Sequence, residues 1–488
     1  MIVCKTNISR IIALISFFLV GINSYAQEQI SVDFSVIKKS NVNRGVASAN
    51  LCWLMDSDLN NPKPNNSMYN AIKELGSGSL RFPYGHLADN YLWHTPPFNK
   101  VKNGLRPKVA TMKQAPGKWN WAVNANGSFK NAMDFDEYMA LCQKLNSKPL
   151  VVVNVFSHKY KGGPTLDELI ETAVAWVKYA KKKKYHVEYW QIGNEVDHHK
   201  KLLSPEEYVN CYQKFAKAMK QVDSTIKVGP GILQSTKYFK DIVSEYPALI
   251  DFTSSHQYMW PYIKTITNYD LWKTHQDTYI PNIKKMQKAV RNSQKPNLEI
   301  VITETGVSPD KGMGSVNNVY KALWYFDVLM NEISQPNVAY SYFWGTHSPW
   351  DGNTDNDDND IAVLFRTDDN SRKPIAEVIK LVNDQILDNI VQTKQISGSV
   401  RTFASMNNSG DKYHVFLMNK NDVEEKVEIS INQLSENVVS FSKLELKGKN
   451  PDDRKLSITN SEKVTIKGTK IALTLAPLSI TILKSTTK

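Results

Sequence analysis

The chain has 488 residues, enough for a large core and for more than one domain. With 41% hydrophobic and 22% charged residues it has the composition of an ordinary soluble globular protein. The formal charge of +12 comes from Lys residues scattered along the chain rather than gathered with aromatics into one patch, which argues against a nucleic-acid partner.

In chain order, Lys5 and Arg10 precede the apolar run IIALISFFLVGI (11–22), and Ser24-Tyr25-Ala26 follows as a small-x-small cleavage signal. The run is too short to span a bilayer, so residues 1–26 read as a removed secretory signal peptide, with no membrane anchor. The mature chain then begins near Gln27 and carries +10. Its cysteines are Cys52, Cys142 and Cys211, without CxxC or metal-ligand spacing. An odd number excludes a complete disulfide framework, and buried free thiols are expected, with a single bridge as the alternative.

EQISVDFSVI (28–37) reads as a strand that joins a C-terminal sheet. From about 45 to 345, eight short apolar runs alternate with longer amphipathic stretches: GVASANLCWL (45–54), GSLRFP (78–83), PLVVVNV (149–155), VEYWQIGNE (187–195), IKVGPGI (226–232), DFTSSHQY (251–258), LEIVITETG (298–306) and VAYSYFWG (338–345). Near-continuous apolar strands separated by helices indicate a parallel sheet covered on both faces. The helices announce themselves. Thr165 and Glu168 form a capping box ahead of a stripe of Leu169, Ile170, Ala173, Trp176, Val177 and Ala180. Ser204, Pro205 and Glu207 repeat the device before 205–219, and DFDEYMALCQKL (134–145) behaves similarly. KKKK (181–184) closes a helix, where cations suit the C-terminal dipole and face solvent. Eight β-then-α units predict a (β/α)8 TIM barrel over 41–384, with its active site at the strand C-termini. Beyond it, KYHVFLMN, KVEISI, VVSFSKLEL and KIALTLAPLSITILK predict a C-terminal antiparallel β-sandwich over 385–488, to which 27–40 contributes a strand.

The ends of the runs carry the chemistry. The fourth closes in Asn194-Glu195 and the seventh in Thr303-Glu304-Thr305-Gly306. Hydrolysis of a glycosidic bond needs two carboxylates flanking the bond, one as acid and then base, the other as nucleophile or as base for water. A lone Glu at a strand terminus is as readily a salt-bridged structural residue; two facing each other across one barrel mouth point to catalysis. Arg81, ending the second run, is placed to hydrogen-bond Glu304 and hold it ionised below the reference pKa of ~4.3. Asn194 suits a sugar hydroxyl beside the reacting carbon. His256 and Tyr258 close the sixth run near the nucleophile, and Trp344 offers an aromatic floor for a sugar ring. His256 and Trp344 taken singly are as readily packed core residues.

Together LRFPYGHLADNYLW (80–93), YWQIGNEVD (189–197), HQY (256–258) and VITETG (301–306) resemble the retaining glycoside hydrolases of clan A, most of all the α-L-arabinofuranosidase type. That resemblance implies a retaining hydrolase of O-glycosidic bonds in plant or algal polysaccharides or oligosaccharides. Glu195 would be its acid/base, Glu304 its nucleophile, and Arg81, Asn194 and His256 their supports. Such enzymes usually carry Gly-Gly-Asn just after the proline of the second strand. Here the run is Pro83-Tyr84-Gly85-His86, so Tyr84 and His86 reshape the pocket and become the residues to set specificity.

No cofactor or metal is expected. In WDGNTDNDDND (350–360), Asp351, Asn353 and Asp355 match the start of a calcium loop, but residue 356 is Asn rather than Gly and the twelfth position is Ala362, so the loop reads as a solvated rim. The insertion 94–133 either builds an outer sugar subsite or packs over the barrel. Two other functions compete: an endo-acting clan A hydrolase of a β-linked galactan or acidic glycan, and an inactive glycan-binding barrel.

Overall fold

The computed structural model describes residues 27–91, 93, 132–159, 164–259, 265–276, 280–307, 316–348, 360–395 and 399–487. Residues 1–26, expected to be a leader, nearly all of the insertion and the acidic loop 351–359 lie outside the described residues.

After strand β1 (Glu28–Lys39), the eight apolar runs supply β2 (Ala47–Asn50), β3 (Ser79–Phe82), β4 (Lys148–Val153), β5 (Tyr189–Ile192), β6 (Lys227–Pro230), β7 (Phe252–Tyr258), β8 (Glu299–Gly306) and β9 (Val338–Phe343). They pair in parallel in the order β6-β5-β4-β3-β2-β9-β8-β7. The seam between β6 and β7 is bridged by Asp251 N to Val228 O (2.9 Å) and His256 N to Leu233 O (2.8 Å), which all but closes the barrel. Its inside is packed with Leu150, Val152, Tyr189, Val301 and Tyr342, so the lower barrel is a core and not a pore.

The helices wrap this barrel: α1 (Met68–Leu75), α2 (Phe135–Leu145), α3 (Leu166–Lys182), α4 (Pro205–Val222), α5 (Thr236–Glu245), α6 (Tyr269–Thr274), α7 (Pro281–Arg291), α8 (Val319–Ile333) and α9 (Pro374–Gln385). Both expected capping boxes are formed, Thr165 with Glu168 on α3 and Ser204 with Glu207 on α4. The stripe on α3 buries Leu169, Ala173, Trp176, Val177 and Ala180, while Lys181–Lys184 are exposed. Cys52, Cys142 and Cys211 are buried free thiols.

The C-terminal strands are β10 (Asn389–Gln395), β11 (Val400–Met406), β12 (Tyr413–Asn419), β13 (Glu425–Asn432), β14 (Val438–Lys447), β15 (Ser457–Val464), β16 (Lys470–Leu475) and β17 (Ser479–Thr487). Among themselves they pair antiparallel, in one sheet with the order β15-β14-β17-β12-β11-β10-β1-β13-β16. The N-terminal strand makes the sheet mixed, because β1 runs antiparallel to β10 and parallel to β13. The sheet curls over its own core, where Phe34 of β1 meets Tyr413 of β12 edge-on at 4.7 Å. Arg401 reaches Asp327 on α8 (3.4 Å), and Lys420 donates to the carbonyls of Trp272 and His275, which ties sheet to barrel.

Candidate active site

Register sets the first contacts. Pairing of β2 with β3 places Asn50 opposite Arg81, and pairing of β7 with β8 places His256 opposite Glu304. These strands carry their polar side chains toward the C-terminal mouth of the barrel.

Arg81 is fully buried and surrounded by acceptors. Its Nη1 donates to Glu304 Oε1 (3.1 Å) and Asn50 Oδ1 (2.5 Å), Nη2 to Asn194 Oδ1 (2.6 Å) and Nε to Gln191 Oε1 (3.2 Å). Asn50 is itself locked, its amide nitrogen donating to the carbonyls of Thr303 and Phe343. A guanidinium so enclosed ties its own strand, β3, to β2, β5 and β8 in one geometry.

The other oxygen of Glu304, Oε2, accepts from the Tyr258 hydroxyl (2.9 Å) and lies 3.3 Å from His256 Nδ1. That same nitrogen is 2.9 Å from Glu195 Oε1, so His256 links the two glutamates. Reactive atoms of Glu195, His256 and Glu304 all fall within 4.8 Å of one another. Two carboxylates and an imidazole at that spacing can also hold a cation, although Arg81 already supplies Glu304 with a positive charge.

Burial pushes the Glu304 carboxyl above its ordinary value; the charges of His256 and Arg81 and the Tyr258 hydrogen bond pull it back, while Glu195 adds to the rise. This corrects the expectation that Arg81 holds Glu304 below the reference value. The ion pair is present, but desolvation of a carboxylate with almost no exposed surface outweighs it.

Glu195 reaches the mouth by a turn. After β5 ends, Gly193 (φ +74°) and Glu195 (φ +46°) both adopt left-handed backbone, and the turn is pinned by Gly193 N to Val153 O and Val196 N to Gly231 O. A Cβ on Gly193 would sit 2.5 Å from Val155 Cγ1, so glycine is needed there on both counts. The Glu195 side chain keeps 17% of its surface exposed, against 2% for Glu304.

Of the remaining predicted residues, Tyr84 and Trp344 pack against each other. Tyr84 is buried at φ +92°, its ring 4.7 Å from Trp344 and its hydroxyl donating to His347 O. Trp344 is half-buried, 6.5 Å from the Tyr258 ring. Gly85 lets the turn approach Glu304, since a Cβ there would lie 2.6 Å from Oε1. His86 opens a short 3-10 turn (His86–Asn90), and its side chain lies outside the described part. The Asn194 amide nitrogen is buried without a hydrogen-bond partner among the described residues.

Sequence reasoning had not singled out Asn50 and Gln191. The available signal was an amide inside each of two apolar runs, at the height of a buried arginine that needs several acceptors.

A parallel barrel, nearly closed, carries Glu195 just after its fourth strand and Glu304 on its seventh, with an Arg-centred network beside them, the arrangement that the resemblance to clan A glycoside hydrolases implies. Comparison with known proteins agrees. Residues 71–278 match the family described as the alpha-L-arabinofuranosidase 1 domain. The probable alpha-L-arabinofuranosidase C of Aspergillus fumigatus is 25% identical over 274 residues, covering 49% of this chain and 46% of that protein. An intracellular exo-alpha-(1->5)-L-arabinofuranosidase of Bifidobacterium longum is 26% identical over 203 residues, covering 38% and 33%. The chain thus spans less than half the length of these curated relatives. Among solved structures, the alpha-L-arabinofuranosidase of Thermotoga maritima in complex with arabinose superposes with a TM-score of 0.69 at 16% identity, over 94% of this chain and 100% of that one. A Paenibacillus polymyxa xyloglucanase superposes with 0.62 at 13% identity, over 95% and 100%. The resemblance to clan A glycoside hydrolases of arabinofuranosidase type is borne out, and the fold is shared.

Proposed function

We propose that the protein is a retaining glycoside hydrolase, α-L-arabinofuranosidase-like, acting on plant or algal polysaccharides or oligosaccharides. One observation carries the reading: reactive oxygens of Glu195, just past the fourth barrel strand, and Glu304, on the seventh, lie within 4.8 Å of each other, with His256 between them. Retaining glycosidases hold the pair ~5–5.5 Å apart, and inverting ones ~6.5–9.5 Å, to admit a water between them.

In the first step the Glu195 carboxyl gives its proton to the glycosidic oxygen while Glu304 attacks the anomeric carbon. The bond to the leaving alcohol breaks and an ester to Glu304 forms. Arg81 and Tyr258 keep one oxygen of Glu304 each oriented, and His256 spans both carboxyls. In the second step Glu195 takes a proton from water, whose oxygen displaces Glu304 from the sugar, and configuration is retained. Asn194 is placed to donate to a sugar hydroxyl through its unpartnered amide nitrogen. A glycan-binding barrel without activity would have no use for two unequally buried glutamates tied through one imidazole.

The leader at 1–26 supports export, and no helix among the described residues is long and apolar enough to cross a membrane. The test is a panel of aryl glycosides and polysaccharides assayed with wild type, Glu195→Ala and Glu304→Ala. Both variants should lose at least ~10³-fold in kcat on any substrate hydrolysed. Azide should rescue Glu304→Ala with an inverted glycosyl azide as product. Near-normal turnover by Glu304→Ala would remove the assignment.

A further inference from the structure

The two glutamates are presented by unlike means: Glu304 lies within β8, whereas Glu195 rides on a turn past the end of β5. The left-handed backbone of Glu195 is unfavourable for a residue with a Cβ and persists only where its surroundings over-determine it. One side chain ties that turn to the network under the nucleophile. Gln191, on β5 and fully buried, donates from Nε2 to the Gly193 carbonyl (2.8 Å) and accepts on Oε1 from Arg81 Nε (3.2 Å). Arg81 in turn donates to Glu304 and to Asn194, the residue before the acid/base. From the other side β6 closes on the same peptide. A Cβ on Gly231 would collide with the Gly193 carbonyl, while the Gly231 N–H donates to Ile192 O and its carbonyl accepts from Val196 N, both at 3.0 Å. The Gly193 carbonyl is thus clamped between the Gln191 amide and the Gly231 backbone.

The bridge demands this residue type. A guanidinium can only donate and a peptide carbonyl can only accept, so the side chain between them needs an acceptor at one end and a donor at the other. A glutamine supplies both, in one amide orientation that the two neighbours dictate. We propose that Gln191 is a positioning residue for the acid/base: through the Gly193 carbonyl it holds the turn that sets the Glu195 carboxyl against Glu304, and so governs proton transfer to the leaving group. Its effect falls on Glu195 more than on Glu304. With Gln191 gone, Arg81 still donates to Glu304, Asn50 and Asn194, so the nucleophile stays held, while the turn loses its side-chain tie. Displacements of the order of an ångström are enough to cost a reacting group about 100-fold in rate. The assignment deepens the glycosidase reading and rests on it.

The experiment uses the full chain with wild type, Gln191→Met and Gln191→Glu, and records thermal melts in parallel. Each protein is assayed on aryl glycosides of the sugar that wild type hydrolyses, with leaving groups from 2,4-dinitrophenol to 4-methoxyphenol. Dinitrophenolate departs without a proton, whereas methoxyphenol needs one from Glu195. Gln191→Met should lower kcat/KM about 10- to 100-fold on the methoxyphenyl glycoside, with a loss at least about 10 times smaller on the dinitrophenyl glycoside. Azide, which displaces Glu304 from the sugar without giving up a proton, should raise kcat of the variant on the dinitrophenyl substrate and yield a glycosyl azide of retained configuration. Gln191→Glu keeps an acceptor for Arg81, but once ionised it cannot donate to Gly193. Its defect on the methoxyphenyl substrate relative to wild type should therefore grow as pH rises, and this variant serves if Gln191→Met does not fold. Equal losses across the leaving groups would place the effect on Arg81 and Glu304 and overturn the proposal. Unchanged kcat/KM in a folded variant, or a loss confined to KM, would overturn it too. A wild type that cleaves no glycoside sinks the glycosidase reading, and this inference with it; an active wild type with indifferent Gln191 variants sinks this inference alone.

Discussion

Glu332 on α8 offers the sharpest test of the scaffold under the nucleophile. It is fully buried, and its carboxyl accepts from the Thr305 hydroxyl on Oε1 and the Ser341 hydroxyl on Oε2, both at 2.7 Å. It thus braces β8 to β9 one residue beyond Glu304. Burial pushes its pKa from 4.5 up to about 8, the two hydroxyls pulling it partly back. The folded protein then keeps a proton that the unfolded chain releases above 4.5. Stability from this group is fully present below that pH and is lost as the pH rises to about 8. At ~1.4 kcal/mol per unit, the shift from 4.5 to about 8 is worth at most about 5 kcal/mol. Glu332→Gln removes the ionisation, and its amide can still donate to one hydroxyl and accept from the other. Urea denaturation followed by tryptophan fluorescence should find the two proteins within ~1 kcal/mol at pH 5. The variant should be more stable by about 3 kcal/mol at pH 7 and by about 5 at pH 9. A stability difference that does not change between pH 5 and pH 9 would refute the reasoning, whatever its sign.

Two further outcomes follow from the site. Tyr258→Phe deletes the hydroxyl that donates to Glu304 Oε2 and so raises its proton affinity further; kcat/KM should fall about 10- to 100-fold and the acid limb of the pH–rate profile should move to higher pH. Tyr84 has φ +92°, a region suited to glycine, and is fully buried; Tyr84→Gly and Tyr84→Ala should both destabilise, but denaturation should find the Gly variant the more stable by about 1 kcal/mol.

The barrel was legible because its strands are apolar on both faces, so each run stood out against the amphipathic helices. The run 187–195 shrank to Tyr189–Ile192, since Gly193 to Glu195 leave the ladder to turn the acid into the mouth. The C-terminal sheet was harder to read. Strand β15 (SITNSEKV) is a polar edge strand with Ile458 largely exposed, so periodicity gave it no signal. The run KIALTLAPLSITILK reads as continuous but breaks at Ala476–Leu478 into β16 and β17, which sit in different parts of the sheet. In the site, Glu195, Glu304 and Arg81 were visible as charges at the ends of core strands. Two of the acceptors of Arg81 were not, because Asn50 and Gln191 acquire their meaning only when register sets them around the guanidinium. The sign of the Glu304 shift was also out of reach, since it depends on how completely the fold removes water.

The central claim is that Glu304 becomes covalently attached to the sugar. Incubation with a 2-deoxy-2-fluoro glycosyl fluoride of the preferred sugar, followed by peptide mass spectrometry, tests it directly. The account predicts one sugar per chain, carried on the peptide that contains VITETG and mapped to Glu304. A label on Glu195 instead, or an unlabelled enzyme that releases product of inverted configuration, would contradict it.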